Sequence, residues 1–525
     1  MRALPLRLHS LTLVLALGAG VSGCQAATPR AAVSQATASR IAAPETPPDV
    51  EWRTYGGTYA SARYSPLTQI DRTNVHQLRV AWRWRSPDHD VMARISSIET
   101  FVNEATPLMV GGVLYVSTSL SQVAAIDAAT GQTLWTHDPE VWKLGTPPNH
   151  GWVHRGVAYW TDGREERIFI GTGNAFLIGL DARTGQPIMG FGNGGRIDLT
   201  EGLGREVDRL WYSVTSPPVV VRDVVVVGAS IFDYPTRPDM PPGHVRGFDA
   251  RTGQVRWIFH AIPQAGEAGN ETWEGESWKT TGGVNVWAPM SADEDLGYVY
   301  LPFSTPANDY YGGNRHGDNL FGESLVCLDA ATGRRVWHYQ IVRHGVWDYD
   351  LPAAPNLADV TVNGRRVKAV AQVTKQGFVF VFDRVTGRPL VAIDLNSGEH
   401  AWTVPLGEGP RKHPHLAALD LPRLGSPRRG FPLVTRMLLF AAQEGHITAV
   451  RWAKDRPWVR IFTWANVEPT LEVFDKTTGA LLARIELPAN AQGALMTYMV
   501  RGKQYIVVPV GGANLPAELV ALSLP

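Results

Sequence analysis

The acid most suited to chemistry in this sequence is Asp348. It stands in Trp347-Asp348-Tyr349-Asp350-Leu351-Pro352, an irregular, proline-containing run that follows a strand-like stretch ending near Gln340. Catalytic groups are disproportionately carried on loops above a rigid scaffold. Flanking aromatic rings can partly desolvate a carboxylate, which raises its pKa and suits it to accept a proton near neutral pH. His344 and Asp350 are the nearest alternatives for such a base. A lysine follows 27 residues later, in the Lys375-Gln376-Gly377 turn that precedes the alternating strand Phe378–Asp383. Taken alone, Asp348 reads equally well as a loop residue capping a turn, so the scaffold decides its meaning.

That scaffold is a repeat. The pattern apolar-Asp-x-x-Thr-Gly recurs at Asp127, Asp181, Asp249, Asp329, Asp383 and Asp475. A tryptophan follows at Trp135, Trp257 and Trp337. The aspartate can cap the turn, the threonine hydroxyl supports it, and the glycine takes the positive φ of a tight hairpin. Alternating strands precede each hairpin, such as Val113–Ser117 and Tyr298–Pro302. The long gap before Asp475 has room for a degenerate copy, placed at Gly445–Val450, and Leu519–Leu522 can close a ring with Leu78–Trp82. Six clear copies, one degenerate copy and one closing blade predict an all-β, eight-bladed β-propeller with four-stranded antiparallel blades. Longer stretches at 186–213, 233–243, 261–286 and 306–322 read as insertions gathered on one face.

Composition narrows the function. Lys+Arg 49 balances Asp+Glu 49, which argues against a nucleic-acid groove or a polybasic membrane patch. With only Cys24 and Cys327, there is no disulfide framework, no cysteine-built metal site and no Cys-x-x-Cys-His haem attachment. At the start, Arg2 and Arg7 precede the apolar run Leu11–Ala19, which is too short to span a bilayer. It ends in Val21-Ser22-Gly23-Cys24. The expected organisation is a lipoprotein-type signal over 1–24 with Cys24 lipidated, a flexible Ala/Thr/Ser/Pro-rich linker over 25–49, and the propeller over 50–525.

The repeat, together with Trp52-Arg-Thr-Tyr-Gly-Gly57, Arg63-Tyr-Ser-Pro-Leu67 and Gly425-Ser-Pro-Arg-Arg-Gly430, resembles the pyrroloquinoline-quinone (PQQ) dependent dehydrogenases from Trp52 to the C-terminus. The resemblance implies PQQ-contacting roles for Glu104, Arg155, Thr215, Ser216 and Ser230, with Trp287 as the indole on which the flat cofactor stacks. It implies a Ca²⁺ or Mg²⁺ ion on Asp233, Thr305 and Asp348. Asp348 would be the catalytic base, and Lys375 the cation touching the quinone oxygens. Where the alcohol dehydrogenases carry adjacent cysteines, this chain has Asn149-His150; His150 and Thr305 resemble the glucose dehydrogenase branch instead. Tyr234 departs from that branch, which has an asparagine beside the acid.

The implied activity is oxidation of a glucose-like aldose or an alcohol by hydride transfer to the quinone. Electrons would pass to an external quinone or cytochrome, and the protein would work in the periplasm or cell envelope, held to the membrane through a lipid anchor. Two other readings remain: a PQQ alcohol dehydrogenase, and a non-enzymatic propeller lipoprotein that scaffolds outer-membrane assembly. Cys327, within a strand, reads as a buried packing thiol.

Overall fold

The computed structural model describes residues 49–100, 102–147, 151–233, 237–362, 364–390, 430–443, 469–512 and 515–525. Almost all regular structure among them is strand; Asp88–Arg94 is the one α-helix. Antiparallel four-stranded sheets follow one another along the chain. The first contains Leu108–Val110, Val113–Ser117, Val123–Asp127 and Thr133–His137. The second runs Ala158–Thr161, Glu166–Gly171, Phe176–Asp181 and Arg196–Asp198. The third uses Val219–Val221, Val224–Val227, Val245–Asp249 and Val255–Phe259. Ser291–Asp293, Tyr298–Pro302, Ser324–Asp329 and Arg335–Gln340 form the fourth. The fifth shows Asn356–Val362, Arg365–Val373 and Val379–Asp383.

These hairpins form as the repeat predicts. Asp127 accepts bonds from the backbone N–H of Ala129 and of Thr130 and from the Thr130 hydroxyl, and Asp329 caps its own turn in the same way through Thr332. The tryptophan that follows three of the six hairpins reaches into the next blade. Trp135, Trp257 and Trp337 donate their indole N–H to the carbonyls of Ala182, Ala330 and Arg384, at 3.0, 2.9 and 3.0 Å. Their rings lie flat on the next hairpin's glycine. A Cβ at Gly333 would sit 2.5 Å from the Trp257 ring, and one at Gly387 2.6 Å from Trp337. These glycines therefore serve both the turn and the blade-to-blade contact.

The blade count differs from expectation: the sheets among the described residues make a propeller of seven blades, not eight. The six Asp-Thr-Gly hairpins each belong to one sheet, and the closing sheet is the seventh. The long gap before Asp475 misled the count. Gly430–Thr435 pairs with Leu438–Gln443, which pairs with Thr470–Asp475, which in turn pairs with Leu481–Glu486, so this stretch supplies the first two strands of the sixth hairpin's own blade. The degenerate copy at Gly445–Val450 lies outside the described residues. Closure is as expected: Arg79–Arg85 pairs antiparallel with Leu515–Ser523, which joins Lys503–Gly512. Residues 186–213 are less of an insertion than they read, because Arg196–Asp198 is the outer strand of the second blade.

Candidate active site

Several of the expected site residues, together with Asp350, occupy equivalent places in successive blades. Glu104, Arg155, Thr215, Trp287 and Asp350 each stand just ahead of the first strand of the first to fifth blades. Ser230, Thr305 and Lys375 each stand just past the second strand of the third, fourth and fifth. In an antiparallel pair the start of one strand faces the end of the next, as in the register Ser291 with Tyr300. Both sets therefore emerge at the same end of their blades. A repeat that places like positions at one end is what brings residues so far apart in sequence together.

Hydrogen bonds connect them. Arg155 Nε lies 2.9 Å from Glu104 Oε2, and its Nη1 donates to Thr215 Oγ1 at 3.0 Å. The guanidinium carbon stands 5.2 Å from the Trp287 ring centroid, a cation over an aromatic face. The loop that holds Arg155 is fixed by His154, which is fully buried between Ser117 Oγ and the carbonyl of Gly171, both at 2.7 Å. Burial lowers the His154 pKa to about 4, so it is a neutral strut. Ser216 Oγ donates to the Trp287 carbonyl.

The Trp287 indole N–H donates to Asp350 Oδ2 at 2.9 Å, and Asp350 Oδ1 accepts the backbone N–H of Thr305 at 2.7 Å. Lys375 Nζ bridges Asp348 at 2.9 Å and Asp350 at 3.4 Å. Asp348 adopts a left-handed φ of 53°, and the Tyr310 hydroxyl lies 3.5 Å from its Oδ2.

The electrostatics are those of crowded carboxylates. Burial, then the charge of Asp350, raises the Asp348 pKa to about 6 against the opposing hydrogen bond and charge of Lys375; Asp233 adds a further upward push. Burial opposes charge on Lys375, but Asp350 and Asp348 outweigh it and raise the Lys375 pKa. Asp233 is thus close enough to interact with Asp348. Ser230 pairs with Ser213 in a short bridge, and its carbonyl accepts from the Ser213 hydroxyl. His150 and Cys24 lie outside the described residues.

Two acids carry more here than the sequence indicates. Asp350, with a side chain 4% exposed, links Trp287, Thr305 and Lys375. Glu323 is fully buried, and its Oε1 accepts from Thr305 Oγ1 at 2.8 Å and the Tyr349 N–H at 3.0 Å. Burial raises its pKa to about 7. Its Oε2 faces Gly345, where a Cβ would come within 1.6 Å. The available sequence signal was no more than an isolated acid at the mouth of the apolar strand Ser324–Asp329.

The donor set fits a planar, polyanionic cofactor: an indole face, a guanidinium, hydroxyls and an ammonium converge. A hard cation fits in part. The donors are all oxygen, and the repulsion among Asp233, Asp348 and Asp350 is what a cation relieves. However, Thr305 Oγ1 is turned to Glu323, and among the described residues no cluster of three His, Cys, Asp or Glu side chains is gathered as a metal cage.

The β-propeller domain of PQQ-dependent glucose, ethanol and alcohol dehydrogenases, as a family model, matches residues 52–393 and 389–506. The chain belongs to this family. It is 35% identical over 359 residues to the quinoprotein glucose dehydrogenase of Escherichia coli (strain K12), covering 65% of this chain and 43% of that one. It is also 35% identical over 373 residues to a quinohemoprotein alcohol dehydrogenase of Pseudomonas putida, covering 68% and 49%. Glucose and alcohol dehydrogenases thus stand side by side among its relatives. The chain spans about half the length of the curated relatives it matches. In fold it is similar to the quinohemoprotein alcohol dehydrogenase from Comamonas testosteroni, with a TM-score of 0.69 at 23% identity, covering 90% of this chain and 80% of that one.

Proposed function

We propose that this chain is a PQQ-dependent dehydrogenase that oxidises a hydroxyl group of a glucose-like aldose or an alcohol. The observation that carries the reading is the unbroken connection from Arg155 over Trp287 to Asp350, Lys375 and Asp348. A scaffold propeller has no use for a base, a cation and a stacking platform joined in this way. When bound, PQQ supplies the two-electron acceptor for the substrate hydride.

The chain's own residues do the rest. Trp287 offers a face for stacking, and Arg155, steadied by Glu104, presents a planar two-pronged donor to a carboxylate. Thr215, Ser216 and Ser230 line the same end of the third blade with hydroxyls. Asp348 accepts the proton of the substrate hydroxyl; its raised pKa makes it a stronger base that is still ionised at neutral pH. Lys375 holds positive charge where negative charge develops. Asp233, Thr305 and Asp348 would hold Ca²⁺ or Mg²⁺, which requires the Thr305 hydroxyl to turn from Glu323.

Thr305 and the Asn149-His150 pair favour the aldose branch. Export through the 1–24 signal, with a lipid on Cys24, would place the protein at the cell envelope, where an external quinone or cytochrome takes the electrons. No helix among the described residues is long and apolar enough to cross a membrane. Titration of the purified protein with PQQ, with and without Ca²⁺, followed by tryptophan fluorescence, tests the reading. Saturable quenching that is lost on Trp287→Ala supports it. An absence of quenching at excess PQQ and metal overturns it.

A further inference from the structure

A polar pocket distinct from the Asp348 site is lined by the 186–213 and 261–286 stretches together with Pro242 and His244. It is open to solvent on one side, offers about 230 Å³ and shares no residue with the Asp348 site. For scale, an apolar cavity of about 150 Å³ holds benzene. Its lining includes Arg205, His244, Gln264, Trp278, Lys279 and Thr281.

Three features bear on what this space can hold. The first is a cation. Arg205 is anchored by donating to the carbonyls of Thr280 and Thr281 at 2.8 and 3.1 Å; the carboxylate whose charge acts on it, Asp239, is itself paired with Arg237. Lys279 adds a second cation at the rim, partly offset by Glu276 at 2.6 Å. The second is unmet hydrogen-bonding capacity. His244 is 5% exposed and its Nδ1 has no partner; Thr281 Oγ1, also buried, has none, and because protein covers both atoms a ligand meets them only once the side chains turn toward it. Such groups are costly to bury unpaired. His244 is kept neutral, by burial first and then by the ring of His260, whose centroid is 4.7 Å away. It therefore offers hydrogen bonding rather than charge. The third is shape: the Trp278 indole and Gln264 complete the wall with one flat apolar face and one amide.

We propose that this cavity binds a small hydroxylated carboxylate. Arg205 receives the carboxylate, His244, Thr281 and Gln264 bond its hydroxyls, and Trp278 packs against its C–H face. With Lys279 offset by Glu276 and the charge of Asp239 acting on Arg205, the net positive charge matches one negative charge better than the two of a phosphate. This assignment does not depend on what the axial site oxidises.

The test is calorimetric titration of the full chain with D-gluconate as the probe, against sorbitol (the same hydroxyls without the carboxylate) and inorganic phosphate. Gluconate is expected to bind saturably with one site, and sorbitol and phosphate at least about tenfold more weakly. Arg205→Gln, checked for folding by circular dichroism, should weaken gluconate about tenfold or more. Lys375→Met in the axial site should leave it unchanged. If Arg205→Gln does not fold, the double change Thr281→Val with Gln264→Leu is read instead, with the same expected direction. No gluconate binding, equal binding of phosphate, or binding lost in Lys375→Met but kept in the cavity variant would overturn the proposal.

Discussion

Replacing Asp350 by asparagine separates a positioning carboxylate from the base beside it. The side chain is 4% exposed and accepts from three donors: the Trp287 indole at 2.9 Å, the Thr305 backbone at 2.7 Å and Lys375 at 3.4 Å. An asparagine has one acceptor oxygen. If it keeps the Thr305 N–H, its amide meets the Trp287 N–H donor to donor. Losing a buried hydrogen bond to a charged group costs about 1.5–3 kcal/mol. The Lys375 contact is worth less, since the ammonium side chain is 31% exposed and water screens it. The whole change then costs roughly 2–4 kcal/mol, enough to lower the thermal midpoint by several degrees.

The same substitution acts on Asp348. Its pKa is held up by burial and by Asp350, and pulled down by Lys375. Without Asp350 the raising charge disappears while Lys375 remains, so the Asp348 pKa falls below about 6. The assays are a melting curve and the pH profile of dye-linked turnover in the reconstituted protein. The midpoint should fall, and the acid limb of the rate should move to lower pH. An unchanged midpoint together with an unchanged acid limb would refute the role given to Asp350.

Other outcomes follow from the same geometry. Arg155→Lys keeps the charge but cannot reach Glu104 and Thr215 together, so PQQ affinity should fall roughly ten- to a hundredfold by fluorescence titration. Lys375→Met removes the group that lowers the Asp348 pKa, so the acid limb should move above about pH 6, with kcat down by roughly 10²–10³. Asp88, fully buried and bonded to Thr118, Leu120 and Gln122, has its pKa raised by burial to about 6. Because the folded state holds that proton more tightly than the unfolded chain, stability should fall as pH rises from about 4 to 6, by about 3 kcal/mol. The difference between denaturant melts of wild type and Asp88→Asn across that window should isolate the slope.

Much of this was legible because the repeat is a local signal. Each Asp-x-x-Thr-Gly hairpin declares its turn chemistry within a few residues, and where a tryptophan follows, as it does three times, it declares the neighbouring blade. Trp135, Trp257 and Trp337 all pack as their spacing implies. The closing pair of Arg79–Arg85 with Leu515–Ser523 was legible too, since two unpartnered strands at opposite ends of a ring must meet. Blade number was not, because strand content alone does not say whether a long gap hides another repeat or widens an existing blade. Leu438–Gln443 belongs to the blade of Asp475, a pairing between segments separated by a long connection. At the site, Asp348 and Lys375 stood out by type, and the structure brings them to 2.9 Å. Glu323 did not, because its significance lies in Thr305 and Gly345, neighbours that only the fold supplies.

The central claim is that the axial cluster carries out PQQ-dependent oxidation with Asp348 as base. The most direct test is reconstitution of the purified apo-protein with PQQ and Ca²⁺ or Mg²⁺, assayed by dye reduction with glucose and with ethanol. The account predicts cofactor-dependent turnover, stronger with glucose, that is lost in Asp348→Asn while that variant still binds PQQ. Full activity in Asp348→Asn, or PQQ bound without turnover on any sugar or alcohol, would contradict it.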